Sequence, residues 1–323
     1  MYDKEGSSRT GGGASTIEAH RVPPSAAATV VRTVRRVKLR FCGVRGSTPA
    51  PGPDFARVGG HTSCLAVWPD GSILPRLILD AGTGIRTVTP LLDGGPFRGT
   101  VLLTHLHWDH VQGVPFFRAG DRDDAVVDLL LPDGGVPAAS LLARAMSPPH
   151  FPIGPEGLRG TWRFATIGEG WREVEGLGVL AREVPHKGGR TFGYRVEGAA
   201  GSFAYLPDHL PSGGDHRGAI RTPASVRELV RGVDLLVHDA QFVTAESALA
   251  RDYGHATVEQ AVALAAAEGV GELVLFHHSP ERTDAEADAL LRAAAETSPC
   301  PVHLAVEGHE LTPCRHPPPV HPG

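Results

Sequence analysis

Four absences narrow the reading of this chain before any motif is considered. The first is a paired cysteine motif. Cys42, Cys64, Cys300 and Cys314 form no CxxC pair, so reduced thiols are expected here instead of a disulfide framework, with Cys64 in "TSCLAV" a core residue. The second is a long apolar run. No segment approaches the roughly 18 to 20 uninterrupted residues that a bilayer-spanning helix needs, so no membrane partner is expected. The third is a leader. The start, "MYDKEGSSRTGGGAST", lacks the basic-then-apolar layout of a secretory signal, which points to a cytoplasmic protein. The fourth is an excess of positive charge. With 31 Lys and Arg against 36 Asp and Glu the formal charge is -5, a poor balance for gripping a long polyanion, because non-specific nucleic-acid affinity comes largely from phosphate neutralisation. The one basic cluster, Arg32, Arg35, Arg36, Lys38 and Arg40, alternates with valines and a leucine and reads as the solvated face of a strand.

What is present fits a folded body of ordinary composition. The 323 residues are 41% hydrophobic, enough for one large domain with a sizeable core. Residues 1–36 are rich in Gly, Ser, Ala and Thr without apolar periodicity, and residues 313–323 are rich in proline, so both read as disordered tails around a body spanning 37–312. Within that body short apolar runs recur, each bounded by Gly, Pro or Asp: "VKLRFCGV", "SCLAVW", "RLILDAG", "TVLLTH", "VVDLLLP", "GVLAREV", "TFGYRVE", "SFAYLPD", "VDLLVHDA" and "ELVLFHH". These are predicted strands. Helices are predicted later in the chain: one with Thr222 as N-cap and Pro223 at its first position, one opened by a Thr257–Gln260 capping box and closed at Gly269, and one with Thr283 and Glu286 in the same relation. Many strands, with helices between the later ones, predict packed sheets covered by helices and not a Rossmann fold.

One stretch concentrates the chemistry. "VLLTHLHWDHVQG" sets three His and one Asp within six residues, directly after a predicted strand. His105 and His107 lie two apart, so in an extended segment both point to one side, while Asp109 and His110 follow one turn on. Imidazole with carboxylate and no thiolate suits zinc, or manganese and iron where oxygen ligands dominate, and excludes a Cys-type structural site. Three further candidates stand at the ends of other predicted strands: His186 in "REVPHKGG", Asp208 in "FAYLPDH" and His277 in "LVLFHHSP".

The HxHxDH motif followed in order by His, Asp and His resembles the metallo-β-lactamase superfamily, and the finer pattern resembles its ribonuclease Z-like branch, which includes phosphodiesterases. The resemblance runs over nearly all of 40–310. "GVRGSTP" with "GHTS" is similar to that branch's Gly-rich opening turn, "LILDAGTG" to its first motif, "VHDAQF" and "YGHATVEQA" to its HEAT-type and GHST-type segments, and "FHHSPER" to its last His-containing segment. Three positions depart from the pattern: Asp239 stands where Glu is usual, His61 where Asn is usual, and Trp108 where a small residue is common, narrowing the mouth of the site. The resemblance implies an αββα four-layer sandwich with two divalent metal ions on one edge. His105, His107 and His186 would hold one ion and Asp109, His110 and His277 the other, with Asp208 bridging. Asp80 would support these ligands; from the residue alone, a turn position before "AGTG" is an equal reading.

Two metals sharing a carboxylate imply hydrolysis by water activated between them, with Asp109 in the catalytic centre and His255, fixed by Asp239, protonating the leaving group. No direct role is expected for His209, His238 or His278. In tRNA-processing members of the branch a long substrate arm lies between the third and fourth motifs. Here 21 residues separate His186 from Asp208 and read as strand, turn and strand, while the Gly- and Pro-bearing segment 151–160 precedes His186. The expected substrate is therefore a small phosphodiester, a cyclic nucleotide or short oligonucleotide, and not a long nucleic acid. A thioesterase or lactonase of the same superfamily is the alternative enzyme, a non-catalytic metal-binding module the alternative of another class, and a homodimer the assembly to test.

Overall fold

The computed structural model describes residues 36–211 and 222–314. The expected tails fall outside the described residues, apart from Arg36, Pro313 and Cys314, and so do Arg32 and Arg35 of the basic cluster. Strands β1 (Lys38–Gly43), β2 (Cys64–Trp68), β3 (Leu77–Leu79), β4 (Arg98–Leu102), β5 (Val126–Pro132) and β6 (Thr161–Ile167) build one sheet. Strands β7 (Gly170–Val174), β8 (Leu177–Glu183), β9 (Phe192–Glu197), β10 (Ser202–Leu206), β11 (Leu235–Asp239), β12 (Glu272–Phe276) and β13 (Val302–Leu304) build the other, and β14 (Glu310–Leu311) returns to pair with β1. All ten predicted strands form. Lys38 and Arg40 lie on the open side of β1 and pair with Glu310 at 3.1 and 3.3 Å, as expected for a solvated strand face.

Period-two alternation decides what each face touches. Leu39, Phe41, Leu65 and Val67 point inward and meet Tyr194, Val196, Phe203 and Val237 of the opposite sheet in one fully buried layer. The alternate residues Cys64, Ala66 and Trp68 face outward, under the long 3₁₀ turn Thr83–Leu92 and the helices α1 (Trp108–Val111) and α2 (Ala138–Ala143). On the second sheet Ala204, Leu206, Leu236 and Leu275 pack against α3 (Ala224–Val230), α5 (Val258–Glu268) and α6 (Asp284–Thr297). Three apolar layers separate four structural ones, the αββα sandwich. Each buried large side chain contributes about 1.5–3 kcal/mol to its cohesion.

The capping boxes form as expected: Thr257 and Thr283 accept from the backbone of Gln260 and Glu286 and open α5 and α6. The start of α3 differs. Pro223 keeps an extended ψ of 150° and is itself the cap, so the helix begins at Ala224 and Thr222 does not cap it. The short helix α4 (Ser247–Tyr253), ended by a left-handed Gly254, was not expected. Among the described residues no helix is long and apolar enough to cross a membrane.

This architecture fixes where the chemistry can sit. β3 and β4 run parallel in one sheet and β10, β11 and β12 in the other, so their carboxyl ends converge on one edge of the sandwich. Helix α1 is pressed onto that edge: a Cβ at Gly113 would lie 2.0 Å from the Gly82 carbonyl oxygen, so only glycine allows this approach.

Candidate metal centre

Strand ends deliver every candidate ligand. His105 follows β4 and His107 is extended at the start of α1, whose single turn carries Asp109 and His110; Asp208 follows β10 and His277 follows β12. Donor atoms of His105, His107, His186 and Asp208 lie within 4.8 Å of one another, and so do those of Asp109, His110 and His277. The seven residues thus meet in the two expected sets, with Asp208 between them. Its two oxygens divide: Oδ1 lies 3.6 Å from His186 Nε2 and 4.0 Å from His105 Nε2, whereas Oδ2 lies 3.0 Å from His110 Nε2 and 3.5 Å from His277 Nε2.

The surrounding hydrogen bonds point the right nitrogens inward. His110 Nδ1 donates to Asp80 Oδ2 at 2.8 Å, leaving Nε2 with its lone pair on the centre. The Thr104 hydroxyl donates to the Asp80 carboxylate at 3.0 Å and accepts from His105 Nδ1 at 3.1 Å, so the same carboxylate orients His105 through one intermediary. Tyr205 donates to Asp80 as well, at 3.0 Å. His186 Nδ1 donates to the Gly254 carbonyl at 2.7 Å, which frees Nε2. Asp109 Oδ2 accepts from the Ser47 backbone at 2.7 Å. Gly46 lets that loop pass, since a Cβ there would come within 2.4 Å of the His277 ring. Buttressing of this kind fixes tautomer and ring orientation at metal sites.

The residues fit a cation. His105 Nε2 and Asp208 Oδ2 are buried without an aligned hydrogen-bond partner, an arrangement that otherwise costs the full desolvation of each group. Burial and neighbouring imidazoles hold His105 well below the ordinary histidine range, and burial lowers His107 and His186 too, so all three favour the neutral, coordinating form. Burial opposes charge on His110, yet Asp109, Asp208 and Asp80 together outweigh it and push His110 well above that range. Burial raises Asp208, but His277 and His110 outweigh it and hold its carboxyl well below the usual carboxylate range.

His255 stands beside this cluster. Its Nδ1 donates to Asp239 Oδ2 at 2.9 Å, so the shorter acid at this position still reaches its histidine. Burial disfavours the imidazolium, but the Asp239 charge and hydrogen bond prevail, and His255 is pushed up to about 9. The same Nδ1 is 3.7 Å from Asp208 Oδ1, and His255 forms a third group of donors with Asp208 and His277. Because Nδ1–H is committed to Asp239, only Nε2 remains for further chemistry. His209 and His238 hydrogen-bond to each other at 2.9 Å, and His278 donates to the Ala305 carbonyl. His61 lies against Thr83 at 3.3 Å and belongs to none of the donor groups.

A family model described as a β-lactamase superfamily domain matches residues 75–278, from β3 to His278 and therefore through the whole ligand set. A ribonuclease Z from Kineococcus radiotolerans is 30% identical over 312 residues, covering 85% of this chain and 93% of that protein. The chain belongs to the β-lactamase superfamily, in its ribonuclease Z-like branch. A ribonuclease Z from Bradyrhizobium diazoefficiens is 29% identical over 274 residues, 69% of this chain and 86% of its own length. In fold, the metallo-β-lactamase fold protein YhfI from Bacillus subtilis matches with a TM-score of 0.63 at 15% identity, over 85% of this chain and 99% of YhfI. This member of the superfamily is a metal-dependent hydrolase. Thr104, Tyr205 and Gly254, which the sequence reading did not single out, belong to its centre. Thr104 was within reach, being the residue before His105, and so was Gly254, the glycine of the GHAT segment; Tyr205 carried no local signal.

Proposed function

We propose that the centre holds two divalent cations, zinc before manganese or iron, and hydrolyses a small phosphodiester. The division of the Asp208 oxygens carries this reading: one faces His105 and His186, the other His110 and His277. His105, His107 and His186 would hold one ion, Asp109, His110 and His277 the other, and Asp208 would join them. When bound, such a pair of cations acidifies a water and neutralises the attacking and departing oxygens of a displacement at phosphorus. Asp80 keeps the lone pairs of His105 and His110 on the centre. His255 Nε2 gives its proton to the departing alkoxide, while Asp239 holds the ring and offsets its charge.

Size is the finer part of the proposal. The relatives are named for ribonuclease Z, but the interval from His186 to Asp208 is spent on β9 and β10, which pair antiparallel within the sheet and leave no chain for an arm. Segment 151–160 does not supply one: Phe151 packs edge-on against Phe116 at 5.7 Å and Pro155–Gly157 forms a 3₁₀ turn. The metal-loaded protein is therefore expected to turn over bis(p-nitrophenyl) phosphate and a cyclic nucleotide or dinucleotide faster than it trims a precursor tRNA, with weak dependence on salt. Rates at two salt concentrations check this. Faster, salt-sensitive cleavage of the tRNA overturns the small-substrate reading, and failure on every phosphodiester with turnover of a thioester or lactone moves the chemistry to carbonyl carbon.

Asp80→Asn tests the support beneath the ligands. The amide cannot accept from His110 Nδ1, Thr104 and Tyr205 together, so metal affinity should fall roughly 10- to 100-fold. Competition with a chromophoric chelator measures it. An unchanged affinity reduces Asp80 to a turn residue.

A further inference from the structure

Helix α1 is a partition as well as a ligand carrier. Trp108 and Val111 line two cavities at once: one of about 380 Å³ that His105 and His107 also line, and one of about 880 Å³ on the other flank. Leu142 and Ala145 border both as well, and none of the seven candidate ligands lines the larger cavity, so the ligand cluster does not account for it. Its walls are aromatic. Trp108 is 73% exposed and Phe116 54%, and Phe151, half-buried, braces Phe116 edge-on with ring planes at 88°. Large rings left in water around open space make a surface for a planar ligand.

Charge restricts what that ligand is. Arg86 and Arg118 line the same cavity and are exposed, and neither makes a hydrogen bond or ion pair among the described residues. Asp121, the acid of the cavity, already accepts from the Arg159 backbone at 2.8 Å and from its guanidinium at 3.2 Å. The cavity thus presents aromatic faces beside two guanidinium groups with no acceptor of their own. An acyl chain would use the rings and leave the guanidiniums idle. A nucleobase joined to a phosphate uses both, by stacking and by charge-assisted hydrogen bonds.

We propose that this cleft is a nucleotide subsite, in which Trp108 with Phe116 and Phe151 stacks one base of the substrate and Arg86 and Arg118 hold its phosphate. Trp108 borders both cavities, so a base stacked on it leaves the linked phosphodiester beside His105 and His107. The inference deepens the phosphodiesterase reading and rests on it for its catalytic consequence: one phosphate lies beside His105 and His107 and another at Arg86 and Arg118, so the substrate class becomes an oligonucleotide with at least two phosphates, and a cyclic mononucleotide, with one phosphate, would not fill both places.

The test is a binding measurement, made with AMP because it contains no phosphodiester to cleave. Titrating the full-length, metal-loaded protein with AMP is expected to quench tryptophan emission saturably, and Trp108→Phe to abolish that quenching by removing the reporting indole. By calorimetry, Trp108→Ala should weaken AMP roughly 10- to 100-fold, the range of one lost base stack. The side chain is largely exposed, so circular dichroism should show the variant folded. Arg86→Gln combined with Arg118→Gln should weaken AMP and flatten its salt dependence, but leave adenosine affected little. AMP that binds no better than inorganic phosphate, or equally well after Trp108→Ala, overturns the subsite, as does tighter binding of a decanoyl thioester. The two readings fail separately. Turnover of bis(p-nitrophenyl) phosphate without Trp108-dependent AMP binding removes the subsite and leaves the chemistry, whereas Trp108-dependent AMP binding without turnover of any phosphodiester removes the chemistry and leaves the subsite.

Discussion

Asp208→Ala is expected to take the protein from close to two divalent ions per chain to one or fewer while leaving its fold in place. Asp208 is 1% exposed, and among the described residues it is the one group whose two oxygens face both donor sets. Removing it separates the sets and withdraws the negative charge nearest to His110 Nε2, 3.0 Å away. Each set keeps three donors, so one ion can still bind, but two neighbouring cations lose the anion between them. The loss of affinity should exceed the roughly 10- to 100-fold expected of a supporting partner such as Asp80. The core layers hold the fold independently of this residue, since Phe203 and Tyr205 of β10 stay packed on the opposite sheet. Elemental analysis after reconstitution, with circular dichroism for the fold, measures both parts. Asp208→Asn separates charge from shape and should lose metal too. A variant that still reconstitutes with two ions removes Asp208 from its bridging place.

How much of this was legible in the sequence follows from what each signal depends on. Strands that face the core declare themselves by alternation, as Leu39 and Phe41 do against Leu65 and Val67. The overlooked strands are edge or return strands. In β6 the alternation is present, with Trp162 and Phe164 stacked on one side at 5.9 Å, but its residues are exposed to half-buried up to the terminal Ile167, and no long apolar run marks it. β7 reads "GWREV", charged and short, and is held by pairing with β8. The ligands were readable because coordination needs particular residue types at strand ends. Of their supports only Asp80 was, because the others depend on tertiary approach: Tyr205 reaches Asp80 across 125 positions and Gly254 reaches His186 across 68. The exposed cleft beside Trp108 was invisible for the same reason, since Arg86, Trp108 and Phe151 come together only when the 3₁₀ turn, α1 and the chain after α2 pack.

His255→Ala is expected to keep its metal and lose phosphodiesterase rate by roughly 10² to 10⁴, the range of a positioned acid or base. The competing role is that of an eighth ligand, since His255 donor atoms fall within 4.8 Å of those of Asp208 and His277. Hydrogen bonding argues for the acid. Nδ1–H is given to Asp239 at 2.9 Å, Asp239 is fully buried and also accepts from the Ala256 backbone at 3.1 Å, and the pair is thereby fixed with Nε2 as the free end. A proton donor matters in proportion to how poor the leaving group is. The rate loss should therefore be largest for alkyl esters, whose alkoxide must be protonated as it departs, and should shrink for p-nitrophenyl esters, whose phenolate leaves unaided. Asp239→Asn should show the same dependence on leaving group with a smaller loss, because the ring stays in place but is no longer held by a charge. Metal content measured beside the rates separates the roles: a His255→Ala protein short of one ion makes His255 a ligand, and an equal rate loss for alkyl and p-nitrophenyl esters with full metal makes it structural.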